Sequence, residues 1–117
     1  MENFKSPTCV SVRKAALSSR GIKSFQEWVN QPNHLYIGSD MTHYIQGAVG
    51  SKWQNTFTNI KSLRKSLELY EERVRNTPEL IEAIGELEGM ELGVLWKSTP
   101  CHGDVLIKIF NDTFITK

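Results

Sequence analysis

Two short stretches concentrate the reactive side chains of this protein. The first, STPCHGDVL at 98–106, sets Pro100, Cys101, His102, Gly103 and Asp104 in consecutive positions ahead of an apolar run. A turn that feeds a helix start offers unpaired backbone N–H groups and the positive end of the helix dipole. Such a start accepts an anion, most simply a phosphate, and Gly103 lets a ligand approach the backbone closely. Cys101 placed there can ionise to a thiolate. His102 can act as acid, base or donor, and Asp104 can orient His102 or a ligand hydroxyl. The plainer alternative is that Pro100 and Gly103 shape a turn, Asp104 caps a helix, Cys101 is buried and His102 lies at the surface.

The second stretch, GSKWQNTF at 50–57, brings together Lys52, Trp53, Asn55 and Phe57. Aromatic rings can stack a base, amides can read its edge, and a lysine can hold a phosphate. Alternatively, Trp53 and Phe57 plug the core from a loop while Asn55 and Thr56 satisfy backbone groups. Lys52 is the residue that packing explains least. Tyr70 lies on an apolar helix face, where its hydroxyl needs a partner if it is buried. His34 and His43 stand alone, without companions at metal-ligand spacing. Glu68, Glu71 and Glu72 read as a solvated helix face. No Walker loop, dinucleotide-binding glycine fingerprint or serine nucleophile elbow is present.

The elements that must position these stretches alternate in type. Cys9, Ser11 and Arg13 alternate with Val10, Val12 and Lys14, which predicts a first strand of about five residues. Ser24 caps a short helix carrying Phe25, Trp28 and Val29, and the QPN that follows ends it. A second strand spans 34–37. A long glycine-punctuated connection over 38–57 then carries the second stretch, and connections of that length in small domains are commonly functional. Ile60, Leu63, Leu67, Tyr70 and Val74 draw one apolar stripe, predicting a helix over 59–75 with Asn59 as N-cap. A second helix begins at Thr77 and Pro78 and stops at Gly89. The near-continuous apolar run at 90–96 fits a strand buried on both faces. A last helix follows, capped by Asp104, with TFITK as a tail. The expected fold is a single small α/β domain over 1–117: a mainly parallel three- to four-stranded sheet with flanking helices, Rossmann-like.

With 117 residues, one domain and one respectable core are expected. Lysine and arginine number 14 against 13 acidic residues, a net charge of +1, which argues against tight binding to nucleic acid through bulk charge. Cys9 and Cys101 are far apart, at neither metal nor redox spacing, so both read as free thiols in a reducing interior. A disulfide between them is possible but has no support in the sequence. MENFKSPT lacks the apolar core of a signal peptide, and no apolar run is long enough for a membrane span. A cytoplasmic protein without membrane association is expected, placed in the host cell if viral.

The blocks HLYIG, GSKWQNTF, SLELYEERVR, ELIEAIGELEGMELGVLW and PCHGDVL together resemble a family known as domain of unknown function 4326, found in bacteria, phages, other viruses and some eukaryotes. The resemblance covers about 9–110. It places signature positions on Lys52, Trp53, Asn55, Phe57, Tyr70, Leu92, Gly93, Lys97, Cys101, His102, Gly103 and Asp104. It implies that the two loop stretches meet in one pocket. Departures are informative. Val94, Leu95 and Trp96 stand where the family usually has cysteines around a tryptophan, so no metal site is expected from Cys101 and His102 alone. Ser39, Gln54 and Thr56 replace the usual arginine, glycine and proline, which leaves Lys52, Lys97 and the helix start to hold any phosphate.

The functional expectation is a nucleotide-like or nucleic-acid-derived ligand held between the 50–57 loop and the 97–104 turn. Lys52, Trp53, Asn55, Phe57, Tyr70, Lys97 and Gly103 would bind it. His102, Asp104 and Cys101 would carry any catalysis, and no cofactor is implied. The alternative is a non-catalytic protein-interaction module, viral or defence-related.

Overall fold

The computed structural model describes residues 3–97 and 100–115. Positions 98 and 99 of the first stretch, and the last two residues of the tail, lie outside the described residues. The chain runs β1 (Thr8–Ser11), α1 (Lys14–Ser19), α2 (Phe25–Val29), β2 (His34–Tyr36), α3 (Leu63–Arg75), α4 (Pro78–Ala83), a 3₁₀ turn (Ile84–Leu87), β3 (Glu91–Val94) and α5 (His102–Phe114). The three strands form one parallel sheet in the order β1-β3-β2. Cys9 stands opposite Leu92, and Leu92 opposite Leu35.

Alternation along the strands builds two cores. Cys9, Leu35, Ile37, Leu92 and Val94 face a core made with Leu67, Tyr70 and Val74 of α3 and Leu106, Ile109 and Phe110 of α5. Val10, Val12 and Tyr36 face the opposite core, made with Leu17 of α1 and Phe25 and Trp28 of α2. Helices thus cover both sides of the sheet, the layering of a small α/β domain. Each large apolar side chain buried in these cores contributes about 1.5–3 kcal/mol. Close packing at the central strand relies on a glycine: a Cβ on Gly93 would run into the Trp28 ring and lie 2.7 Å from Val12 Cγ1. Trp28 cannot easily give way. Its Nε1–H donates to Glu91 at 2.8 Å, and its ring stacks on His34 with centroids 4.7 Å apart.

The structure differs from the sequence reading mainly at helix ends. Lys14–Ser19 forms a helix that the sequence reading did not anticipate; only Leu17 of it is buried, too little to draw a stripe. Ser62, not Asn59, caps α3, its hydroxyl accepting the Lys65 N–H at 3.2 Å. The N-cap of α5 is Cys101, and Asp104 is the third helical residue. That helix also runs through Thr113 and Phe114 of the expected tail. The strand expected over 90–96 is shorter, leaving Leu95 buried and Trp96 exposed beyond its end. No described helix is long and apolar enough to cross a membrane.

Candidate functional site

A cleft of about 350 Å³ opens beyond the carboxyl ends of β2 and β3. Its walls include Tyr36, Gly38 and Ser39 after β2, Asn55, Thr58, Ile60 and Lys61 from the long connection, Ser66 and Leu67 of α3, and Val94, Leu95 and Trp96 at the end of β3. Cys101 and His102 complete the lining. Three residues singled out in the sequence, Asn55, Cys101 and His102, therefore converge on one cleft from positions far apart in the chain.

Each is held there by backbone geometry. Asn55 spans the loop and α3: its Oδ1 accepts the Phe57 N–H at 2.9 Å and its Nδ2 donates to Ser66 Oγ at 3.1 Å. Ser66 in turn donates to the Phe57 carbonyl at 2.7 Å, so the loop is tied to the helix by a closed set of bonds. The His102 ring lies edge-on to Tyr70, centroids 5.3 Å apart. His102 Nε2 is 2.9 Å from the Ile37 carbonyl. A carbonyl only accepts, so Nε2 carries the proton and Nδ1 is left with its lone pair. Burial, outweighing that bond, lowers the imidazole pKa below its ordinary 6.5. The site thus contains a neutral imidazole whose Nδ1 has no hydrogen-bond partner among the described residues.

Cys101 is buried at the first position of a reciprocal cap. Its sulfur is turned to the N–H groups of Gly103 and Asp104. Asp104 accepts the Cys101 N–H at 3.0 Å. The Cys101 and Cys9 sulfurs lie 3.5 Å apart. A bond from Cys9, set against burial and reinforced by the two N–H groups, pulls the Cys101 thiol down to about 6. The same bond, and then burial, pushes the Cys9 thiol up. The pair is therefore biased in one direction, the charge favoured on Cys101 and the proton on Cys9, because the N–H groups at the start of α5 bond to the Cys101 sulfur.

The remaining candidates serve elsewhere. Lys52 pairs with Glu86 at 2.7 Å, both half-exposed, and reaches over the Trp53 ring at 5.3 Å. Trp53 is 1% exposed and plugs the core, and its carbonyl accepts the Tyr70 hydroxyl at 2.6 Å. Phe57 packs against the same core. Gly103 is buried with Cys9 and Ile37 against it. Asp104 borders a separate hollow with Lys108 and Glu71. Lys97 is exposed, close enough to Cys9 for its charge to act on that thiol.

Sequence reasoning missed Cys9, Ser39, Lys61, Ser66 and Trp96 as neighbours of the site. For Trp96 a signal existed: a tryptophan next to Lys97, just past an apolar run, can mark where a strand leaves the core. Cys9 gave none, because its proximity to Cys101 depends on α5 packing against β1.

A family model described as Domain of unknown function (DUF4326) matches residues 20–112. The chain belongs to that family. No curated protein and no solved structure matches it. Of the twelve positions that the sequence resemblance marked, Lys52, Lys97 and Asp104 lie outside both the core and the cleft lining, and the other nine fall into two groups. Trp53, Phe57, Tyr70, Leu92, Gly93 and Gly103 pack the core or permit close approach. Asn55, Cys101 and His102 border the cleft.

Proposed function

We propose that this chain binds a small nucleotide-like ligand in the cleft beyond β2 and β3. The observation that carries the reading is the convergence of Asn55, Cys101 and His102 on that one cleft. Ligands of open α/β sheets lie beyond the carboxyl ends of strands, as this cleft does. Trp96, 65% exposed at its rim, offers a face on which a base stacks. Ser39, Asn55 and the Nδ1 of His102 offer edge-reading groups, and Lys61 offers a cation for a phosphate. Lys61 thus takes the part assigned to Lys52 from the sequence, since Lys52 is paired with Glu86. Trp53, Phe57 and Tyr70 hold the wall rather than touch the ligand. Thermal shift against nucleosides and nucleotides tests the reading: ligand at a hundred times its Kd stabilises by about 2.7 kcal/mol. Trp96→Ala abolishes the shift without lowering the melting point of the free protein. No shift with any member at millimolar concentration defeats the proposal.

One observation favours an extension to a nucleic-acid fragment. A second cleft of about 560 Å³ shares Leu95 and Trp96 with the first, and carries Arg13, Lys14, Lys23 and Tyr44. Among the described residues, no acidic one lines it. A short single strand stacked on Trp96 and Tyr44 would cross from one cleft to the other, with salt-sensitive affinity. Short oligonucleotides binding no tighter than mononucleotides would remove this extension. Catalysis by Cys101 and His102, with Asp104 holding the helix start, is read from product analysis of any ligand found. A partner protein is the competing occupant of the exposed Tyr44 and Trp96, and a complex that protects both rings without nucleotide would favour it.

A further inference from the structure

We propose that Cys9 and Cys101 form a peroxide-reactive dithiol site, in which Cys101 attacks the oxidant and Cys9 resolves it to an intramolecular disulfide. The two cysteines come from different elements, β1 and the start of α5, yet their sulfurs are 3.5 Å apart. A disulfide needs about 2.05 Å between sulfurs, so closure requires an approach of about 1.5 Å. The approach already achieved is built in at Gly103. A Cβ there would run into Cys9 Sγ and lie 3.1 Å from Cys9 Cβ. Any other residue at 103 would push Cys9 away from its partner.

The two positions suit different roles. Cys101 borders the cleft, so a small oxidant reaches it from that side although the residue is only 3% exposed. The helix N–H groups favour its charged form, which is the nucleophile. Cys9, on the strand, is partly exposed but is not part of the cleft lining, and its thiol is pushed up by the bond to Cys101 and by burial, so it keeps its proton more readily. In the first step the Cys101 thiolate attacks one oxygen of hydrogen peroxide. The O–O bond breaks, the leaving hydroxide takes a proton to become water, and Cys101 becomes a sulfenic acid, oxidised by two electrons. In the second step the Cys9 sulfur attacks the Cys101 sulfur. The S–O bond breaks, the departing hydroxide leaves as water with the Cys9 proton, and the S–S bond forms. Peroxide is reduced to two waters in all, and a thiol reductant reverses the change.

The test uses the full chain, reduced and then treated with hydrogen peroxide at low excess, followed by alkylation and intact mass measurement. The expected product loses two hydrogens, takes up no alkylating reagent, and gives one cross-linked peptide containing Cys9 and Cys101. In Cys9→Ala, Cys101 instead accumulates a sulfenic acid that a cyclic-diketone probe traps. Cys101→Ala leaves Cys9 reacting at the rate of a simple thiol. Without any variant, the alkylation rate of wild-type Cys101 should stay high below pH 7 while that of Cys9 falls off. Both thiols remaining fully alkylatable after peroxide, disulfide-linked dimers as the main product, or equal probe labelling of the two cysteines would each overturn the proposal.

Discussion

Removing the Tyr70 hydroxyl is the sharpest single test of how the wall of the cleft is held. Tyr70 is fully buried, and its O–H donates to the Trp53 carbonyl at 2.6 Å. Trp53 itself is 1% exposed, so water does not replace a lost donor there. Tyr70→Phe keeps the ring and its edge contact with His102 but leaves a buried carbonyl unpaired, which costs about 1–3 kcal/mol. With unfolding entropy of about 2.1 cal/mol/K per residue, 1 kcal/mol moves the midpoint of a 117-residue domain by about 4 °C. A loss near 2 kcal/mol therefore lowers the melting point by about 8 °C. Tyr44→Phe, at a residue 79% exposed, serves as the control and stays within about 0.5 kcal/mol of wild type. Hydrogen exchange should locate the damage, with amides of the 51–57 loop opening faster than those of β1. Burial also raises the Tyr70 pKa above the ordinary 10. The folded state thus holds this proton more tightly than the unfolded chain. The stability gap between wild type and Tyr70→Phe is then constant below pH 10 and narrows as pH rises above it. A Tyr70→Phe protein as stable as Tyr44→Phe would show that the hydroxyl does not hold the loop.

Three further outcomes follow from the packing. Gly93→Ala forces a methyl group into Trp28 and Val12 on the central strand and should cost about 3 kcal/mol, read as a fall in urea midpoint; a neutral result would mean that the two helices on that face yield easily. Asp104→Ala removes the acceptor of the Cys101 N–H and should cost about 1 kcal/mol in thermal melts, while also slowing alkylation of Cys101 if the cap orients the thiolate. Acid titration should show stability falling in two windows. It falls below pH 6.5 as His102, its folded pKa depressed by burial, is forced to charge. It falls again below 4.5 as Glu91 protonates: burial raises that pKa, but the bonds from Arg20 and Trp28 outweigh it and lower it overall. His102→Gln removes the first fall and Glu91→Gln the second, and an unchanged profile in either would contradict its assignment.

What the sequence determined by itself were the features that local physics specifies. Alternation of apolar and polar residues marked the strand around Cys9, and the short HLYI run ended by Gly38 marked the one around Leu35. The stripe of Leu67, Tyr70 and Val74 marked α3, and Thr77 with Pro78 marked the start of α4. Family signature blocks, each short and contiguous, placed the chain correctly in its family. Helix ends were less legible, because an N-cap is chosen by which side chain reaches a free N–H. Ser62 and Cys101 do so here, where Asn59 and Asp104 had been expected.

Only the tertiary structure decided what the chemical residues do. GSKWQNTF reads the same whether its rings face a ligand or the core. Packing against α3 turns Trp53 and Phe57 inward and leaves Asn55 at the cleft. Lys52 found Glu86, which lies on the 3₁₀ turn and has no sequence relation to it. The Cys9–Cys101 pair is the clearest case. Nothing in a separation of 92 residues predicts sulfurs 3.5 Å apart. Their meeting depends on parallel pairing of β1 with β3, on α5 lying across β1, and on the missing side chain of Gly103, and each of these is settled only when distant surfaces are buried together.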